Sequence, residues 1–344
     1  MNIIDKEMDI ASRIGSEKRA KKIHNGPTGV DFGNIDGNCI SVISEYIPDY
    51  IPFALVSRQF KDSWVGEKKT SKKLLKKYVK DGNLEMVKIY IKNGCPWDSK
   101  SICEVAVENG HLEILKWAIP HVVYEWEKDN LLNNICNVAA KNGHLEILKY
   151  ARSEGFPWDE WACRFAAING HLEVLKYLRS EGCPWKEDVC EYAAKNGHME
   201  MLKYARSQGC PWDKDTCISA AEKGHLEILK YARSEGCPWD EYVCIYAAQG
   251  GHLETLKWAR TNRCPWNEDV CEYAASNGHM EVLKWARSQD CPWEKTVCER
   301  AAECGHLEIL KWAISEGCPW GKYTCSYAAK GGHFEILKWL IYEG

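Results

Sequence analysis

The sequence predicts an all-α protein, an α-solenoid of about ten stacked helix–turn–helix repeats that follows a small N-terminal helical segment. Two observations predict this fold. Nine of the 11 histidines stand at one phase of a repeat, and from His144 onward each step is 27 residues. Sixteen of the 18 cysteines fall on two other phases, which leaves Cys39 and Cys304 outside the pattern. A period of 20 to 50 residues is typical of units that bury their apolar faces against each other.

Each repeat is predicted to contain two helices. In the segment from Cys237 to Ala259, Pro238 precedes a first helix whose N-cap is Asp240. Gly251 supplies the left-handed residue that ends this helix, and apolar residues at three-residue spacing mark a second helix. A glutamate in the first turn of the second helix and a lysine three residues later form a surface ion pair. The equivalent N-caps in other repeats are Asp98, Asp159, Asp213 and Asn267.

The centre of the repeat resembles that of the ankyrin repeat. Residues Ala247 to Glu254 have the sequence Ala-Ala-Gln-Gly-Gly-His-Leu-Glu, and similar octapeptides recur along the chain. The resemblance implies an ankyrin-type solenoid and a protein-binding function. The repeat is about six residues shorter than the usual ankyrin repeat, because Gly236 leads through Cys-Pro-Trp almost directly into the first helix. This Cys-Pro-Trp variety is similar to ankyrin repeats of large DNA viruses of protists and of some protists.

Ankyrin repeats usually have a β-hairpin finger before the first helix, and its absence here shifts the predicted contact surface to the first helices and the turns before them. Residues there differ from copy to copy, so we expect them to bind a protein partner; an ordinary solvated face is the alternative. Acidic residues outnumber basic ones by ten to three at these positions, which disfavours nucleic acid and favours a basic or mixed peptide. The predicted surface comprises Glu160, Trp161, Arg164, Glu187, Asp188, Glu191, Lys214, Asp215, Ile218, Glu241, Tyr242, Ile245, Glu268, Asp269 and Glu272.

Residues 35–66 are predicted to form a compact helical hairpin that prolines interrupt. The tripeptide from Tyr46 to Pro48 and the run from Ala54 to Phe60 resemble an F-box. The resemblance implies a partner, the adaptor subunit of a cullin-RING ubiquitin ligase. The alternative is that this segment only caps the solenoid. The residues that would contact the adaptor subunit are Ile40, Ile43, Ile47, Pro48, Leu55 and Val56.

The chain is therefore divided into a disordered polar tail (1–34), the F-box-like segment (35–66) and the repeat solenoid (67–344). We find no phosphate loop, dinucleotide fingerprint or hydrolase motif, so we expect neither an enzyme nor a cofactor. The repeated cysteines and histidines could bind zinc, but their spacing matches no common zinc site, and Asn83 and Phe156 break the set. We expect no metal; the thiols should be buried, and the histidines should cap helices or make turn contacts.

Composition agrees with an intracellular binding protein. The chain has 344 residues and a formal net charge of −4. It lacks an apolar run long enough to span a membrane, and Met1 to Ile10 do not resemble a signal peptide. We expect a monomer in the cytoplasm or nucleus, where reducing conditions keep cysteines unpaired. Two functions fit: a substrate-recruiting adaptor that links a target to a cullin-RING ubiquitin ligase, or an ankyrin-type scaffold or inhibitor with no ubiquitin link.

Overall fold

A computed structural model describes residues 68–92, 94–121 and 125–342 of the chain. The polar tail and the F-box-like segment, with Ile40, Ile43, Ile47, Pro48, Leu55 and Val56, lie outside the described residues. All regular secondary structure within the described ranges is helical, with 20 α-helices and a 3₁₀ turn at Ile119–His121. The predicted all-α fold of repeated hairpins is confirmed.

The α-helices alternate between first and second members of consecutive hairpins, and odd numbers denote first helices. They are α1 (Lys68–Lys80), α2 (Leu84–Lys92), α3 (Ser99–Glu108), α4 (Leu112–Ala118), α5 (Glu125–Asn142), α6 (Leu145–Ser153), α7 (Glu160–Asn169), α8 (Leu172–Ser180), α9 (Asp188–Lys195), α10 (Met199–Ser207), α11 (Lys214–Glu222), α12 (Leu226–Ser234), α13 (Tyr242–Gln249), α14 (Leu253–Thr261), α15 (Asp269–Ser276), α16 (Met280–Ser288), α17 (Lys295–Glu303), α18 (Leu307–Ser315), α19 (Lys322–Lys330) and α20 (Phe334–Tyr342).

The described chain divides into two compact units. One consists of residues 68–78 with Glu85–Trp97, and the other of Val79–Leu84 with residues 98–342. In the first unit the rings of Tyr78 and Tyr90 lie 5.2 Å apart. The second unit holds the repeats from α3 to α20.

The predicted N-cap residues precede five of the first helices in the second unit. The side chain of Asp240 accepts a hydrogen bond from the backbone N–H of Tyr242 at 3.2 Å. Each such cap satisfies an N–H that has no partner inside the helix, and its loss would cost about 1 kcal/mol. The predicted caps are confirmed. The same bond, to the N–H two residues later, is made by Asp98, Asp159, Asp213 and Asn267.

The core runs between consecutive hairpins. On α13 the side chains of Val243, Cys244, Ala247 and Ala248 are fully buried, and on α14 Leu256 is fully buried as well. The small alanine and cysteine side chains let adjacent first helices approach closely, as dense interior packing requires. Burial of a leucine contributes roughly 1.5–3 kcal/mol per side chain. Each hairpin is therefore stable only against its neighbours.

Seven of the nine repeated histidines form a hydrogen bond to the preceding hairpin. Nε2 of His252 lies 3.0 Å from the carbonyl oxygen of Glu222, at the C-terminus of α11, and must donate because a carbonyl only accepts. Burial lowers the pKa of His252, which favours the neutral ring. The ring packs on Gly224, whose φ of +70° is left-handed; a Cβ there would lie 2.4 Å from Nδ1. The same bond joins His111 to Lys80, His144 to Glu108, His171 to Lys141, His279 to Gln249, His306 to Ser276 and His333 to Glu303.

The histidines occupy the N-cap position of each second helix from α4 to α18, yet none of these side chains makes a cap hydrogen bond to its own helix. The expectation of helix capping was wrong, and that of a turn contact is confirmed. The ring points to the neighbouring hairpin because the preceding helix ends there with unpaired carbonyls.

Apart from Cys325, the repeated cysteines are buried between neighbouring hairpins. The thiol of Cys237 donates to the carbonyl of Asp213 in the preceding repeat at 3.1 Å. Burial raises the pKa of Cys103 to about 12, which keeps this thiol protonated. All cysteines of the described residues are free thiols, and no group of three or more potential ligands in these residues could hold a metal ion. Equivalent thiol bonds are made by Cys183, Cys210, Cys264, Cys291 and Cys318.

An arginine in each of five second helices fixes the next turn. Nη1 of Arg233 donates to the carbonyl of Cys237, and the guanidinium carbon lies 4.2 Å from the ring centroid of Trp239. That ring also meets Trp258 edge-on at 5.9 Å. Trp239 and Trp258 thus pack against each other and against the arginine of the repeat. The other arginines with this arrangement are Arg179, Arg206, Arg260 and Arg287.

The outer surface of the second helices is uniform. Among the described residues, nine glutamate–lysine pairs at i,i+3 spacing have N–O distances of 2.7–3.9 Å. Because these pairs are exposed to solvent, each contributes only a few tenths of a kcal/mol. None of the described helices is sufficiently long and apolar to cross a bilayer.

Candidate functional site

First helices of consecutive repeats lie side by side and present one common surface. We call this surface the first-helix face. It comprises the repeat positions of Glu241, Tyr242, Ile245, Tyr246 and Gln249 in the repeats that contain α7 to α19. Side chains at these positions differ between copies, whereas those on the outer surface of the second helices repeat the same charge pair. The first-helix face is therefore the surface on which one repeat differs chemically from the next.

The N-terminal part of the first-helix face carries an exposed aromatic group. Trp161 is 44% exposed, and its ring lies 5.9 Å from that of Phe165. The guanidinium of Arg164 lies 4.4 Å from the Trp161 ring and 4.7 Å from the ring of Tyr192. Nη2 of Arg164 also donates to the Tyr192 hydroxyl at 2.6 Å. These contacts fix one cation at this end of the face.

The next groups along the face are carboxyls that have few cations near them. Asp188 accepts an ion-pair contact from Arg164 at 3.5 Å through Oδ2, while its buried Oδ1 has no hydrogen-bond partner among the described residues. Burial raises the pKa of Asp188, despite the opposing effect of Arg164. Burial likewise raises the pKa of Glu191, and the nearby Asp215 raises it further. Asp188 and Glu191 favour a bound cation because burial partly desolvates their carboxyls and Asp215 adds a further negative charge near Glu191.

Other charges of the face are paired between repeats. Lys186 donates to Oε1 of Glu160 at 2.7 Å, and this bond lowers the pKa of Glu160. Lys214 donates to Oδ2 of Asp240 at 2.7 Å. Because lysines from neighbouring repeats neutralise these acids, the excess negative charge is less evenly spread than the sequence suggested.

Tyrosines occupy the middle of the face. Tyr242 is 45% exposed; its ring lies 6.3 Å from that of Tyr246, and Nζ of Lys214 lies 5.4 Å from its centroid. Tyr273 is also exposed. Exposed tyrosine and tryptophan rings are the side chains that contribute most often to protein–protein binding energy. The face therefore combines aromatic contact area with acidic groups.

One residue of the predicted surface does not lie on it. Ile245 is 2% exposed, which corrects its assignment. Ile218 stands at the same repeat position and is half-buried, so the burial of Ile245 comes from its neighbours between adjacent first helices and not from its residue type. The exposed predicted residues are Trp161, Glu187, Lys214, Asp215, Tyr242 and Glu268, and the half-buried ones are Glu160, Arg164, Asp188, Glu191, Ile218, Glu241, Asp269 and Glu272.

Sequence reasoning missed the last turn of each first helix. Tyr192, Ser219 and Arg300 share the repeat position of Tyr246, and each contacts a charged residue of the preceding repeat. This position also differs from copy to copy. The same variability that identified the earlier positions could therefore have identified this one.

Comparison with known proteins concerns the repeats. A search of the curated proteins found no match. Among solved structures, the crystal structure of the human ASB11 ankyrin repeat domain is 18% identical to this chain; the match covers 53% of this chain and 97% of that chain, with a TM-score of 0.43. Residues 136–179, from α5 into α8, match the family model described as ankyrin repeats (many copies). Residues 136–179 are therefore similar to ankyrin repeats.

Proposed function

We propose that this chain is a substrate-recruiting adaptor. In this proposal the first-helix face binds a target protein, and residues 35–66 bind the adaptor subunit of a cullin-RING ubiquitin ligase. The observation that carries the first half is the combination of exposed rings and weakly compensated carboxyls on surfaces that differ between repeats. The second half is supported by the resemblance of the segments Tyr46 to Pro48 and Ala54 to Phe60 to an F-box.

The first-helix face suits recognition better than the opposite surface. The second helices offer the same exposed glutamate–lysine pair in repeat after repeat, so they cannot distinguish one segment of a partner from another. The first-helix face offers Trp161, Tyr242 and Tyr273 as separate anchors, with acidic groups between them. A few aromatic anchors surrounded by polar groups are the usual composition of a protein-binding site. We infer binding, not catalysis, as the role of the chain.

The ligase link can be tested with purified proteins. The full chain should co-precipitate the ligase adaptor subunit, and the double substitution Leu55→Asp with Val56→Asp should abolish this, because two carboxylates would be placed on the apolar contact. Tyr242→Ala is the matched control; it should leave adaptor binding unchanged and weaken target binding. Circular dichroism must show that all variants keep their helices.

A second function, an ankyrin-type scaffold or inhibitor without a ubiquitin link, would give a different result. The wild-type chain would then fail to bind the adaptor subunit, while Tyr242→Ala would still weaken target binding. Failure of both measurements would refute the adaptor proposal and the assignment of the first-helix face together.

A further inference from the structure

Two first helices of this chain begin with the same octapeptide. Glu187 to Ala194 and Glu268 to Ala275 both have the sequence Glu-Asp-Val-Cys-Glu-Tyr-Ala-Ala. They belong to α9 and α15, three repeats apart, and offer the first-helix face identical side chains. Differences in their surroundings come from the neighbouring repeats. In the preceding repeat Arg164 contacts Asp188 of α9, whereas Ile245 stands at that position before α15.

At α15 the following repeat supplies a cation. Nε of Arg300, on α17, donates to Oε1 of Glu272 at 2.9 Å, and Nη1 donates to Oε2 of Glu303 at 2.8 Å. Both bonds raise the pKa of Arg300. One guanidinium therefore bridges two carboxylates, an arrangement that suits its planar set of donors.

At α9 the following repeat supplies a serine. Residues 191, 219 and 222 stand at the positions of residues 272, 300 and 303, so Glu191 and Glu222 repeat the two carboxylates while Ser219 replaces the arginine. The Ser219 hydroxyl reaches Oε1 of Glu191 only at 3.5 Å. Glu222 accepts ion pairs from Lys195 and Lys223. Among the described residues, no lysine or arginine forms an ion pair with Glu191.

Tyrosines flank both residues: the same repeat position carries Tyr192 and Tyr246 around Ser219, and Tyr273 and Tyr327 around Arg300. The charges around them differ, because Asp215, Lys195 and Lys223 stand where the other site has Thr296, Ser276 and Cys304. Both of these lysines pair with Glu222, which leaves Glu191 as the carboxyl of this site without an ion pair among the described residues. Ser219 itself is 5% exposed, so a guanidinium at its position requires the surrounding side chains to move aside.

We propose that the Ser219 gap, formed by Glu191, Ser219 and Glu222 between Tyr192 and Tyr246, binds an arginine side chain of the target protein. The guanidinium takes the place that Arg300 occupies in the chain's own later repeat. This inference rests on the proposed function, since the target must bind to the first-helix face. Arginine fits better than lysine because its planar guanidinium has several N–H groups and can donate to Glu191 and Glu222 together.

A stability measurement tests whether the gap accepts a guanidinium. In the full chain, Ser219→Arg should raise Tm, because the new side chain can bind as Arg300 does; in a Glu191→Gln background the same substitution should give no rise over Glu191→Gln alone. Arg300→Ser should lower Tm. A Ser219→Arg chain that melts below wild type, or a gain in Tm from Ser219→Arg that is as large in the Glu191→Gln background, would overturn the proposal.

A binding measurement tests the ligand. The probes are three degenerate peptide pools that differ at one fixed position, which is arginine, lysine or citrulline, the neutral analogue of arginine. Wild type should retain the arginine pool about tenfold better than the citrulline pool. Ser219→Arg and Glu191→Gln should abolish that preference, while the matched control Glu272→Gln should keep it.

The outcomes separate the two proposals. Pools that bind wild type without any arginine preference, or with a preference that survives Ser219→Arg, refute the arginine site and leave the first-helix face as a binding surface. Pools that fail to bind at all, or bind Trp161→Ala and Tyr242→Ala as well as wild type, contradict the assignment of the face and the arginine site with it.

Discussion

Replacing Gly224 with alanine should destabilise the repeats by about 2–3 kcal/mol. Gly224 has φ of +70°, and a Cβ there would lie 2.4 Å from Nδ1 of His252. The left-handed conformation costs an alanine about 1–2 kcal/mol. Displacing the ring also breaks the 3.0 Å hydrogen bond from His252 to the carbonyl of Glu222, which contributes about 1 kcal/mol. The two costs add because one is the backbone strain at residue 224 and the other is the loss of a hydrogen bond.

Gly236 offers a matched control. Its φ is +83°, but no atom lies within 4 Å of the position that a Cβ would take. Gly236→Ala should therefore carry the conformational cost alone, about 1–2 kcal/mol. Urea unfolding of the full chain gives the comparison, and hydrogen exchange in α11 to α13 reports the local loss, since repeat arrays can open locally.

A double-mutant cycle isolates the ring contact. In a His252→Ala background, Gly224→Ala should cost no more than Gly236→Ala, because the added methyl group no longer meets the imidazole. Equal costs for the two glycine substitutions in the wild-type background would refute the role given to the histidine ring.

Three further predictions concern single side chains. Cys304 is the exposed cysteine of the described residues, so iodoacetamide should modify it before the buried thiols, and Cys304→Ser should remove that fast phase. Glu191→Gln should raise Tm at neutral pH, because a carboxyl whose pKa is raised above its ordinary 4.5 loses folded-state stability as pH rises through that shifted value; the gain should vanish at low pH, and Glu272→Gln should lower Tm instead. Arg233→Lys should lower stability by about 1 kcal/mol in urea unfolding, because lysine cannot both stack on Trp239 and keep the planar donor geometry.

The hairpins could be predicted from the sequence because their causes are local. Asp240 caps the backbone two residues away, and Gly251 has the left-handed φ of +74° that ends its helix. Both effects depend on a few consecutive residues, so a single copy of the repeat contains the information. The 27-residue period then extends the prediction to the other hairpins.

Contacts between repeats could not be predicted in the same way. His252 stands at the N-cap position of α14, and local reasoning assigns it to that helix; its acceptor lies 30 residues earlier, on Glu222. The burial of Ile245 likewise depends on how far adjacent first helices stand apart. Glu191 and Glu272 have identical neighbours in sequence, yet only Glu272 is paired with an arginine, which lies 28 residues later.

The distribution of contacts explains where function can reside in such a repeat. Histidine, cysteine and arginine donate to backbone carbonyls, which every residue type provides, so the hairpins stay joined whatever side chains occupy the first-helix face. Side chains on that face are therefore free to include groups that do not favour folding. Asp188 and Glu191 are such groups, because burial disfavours their charged forms and no nearby cation fully offsets it. A bound cation would remove that cost, so the destabilised carboxyls mark the part of the face where a basic partner gains most by binding.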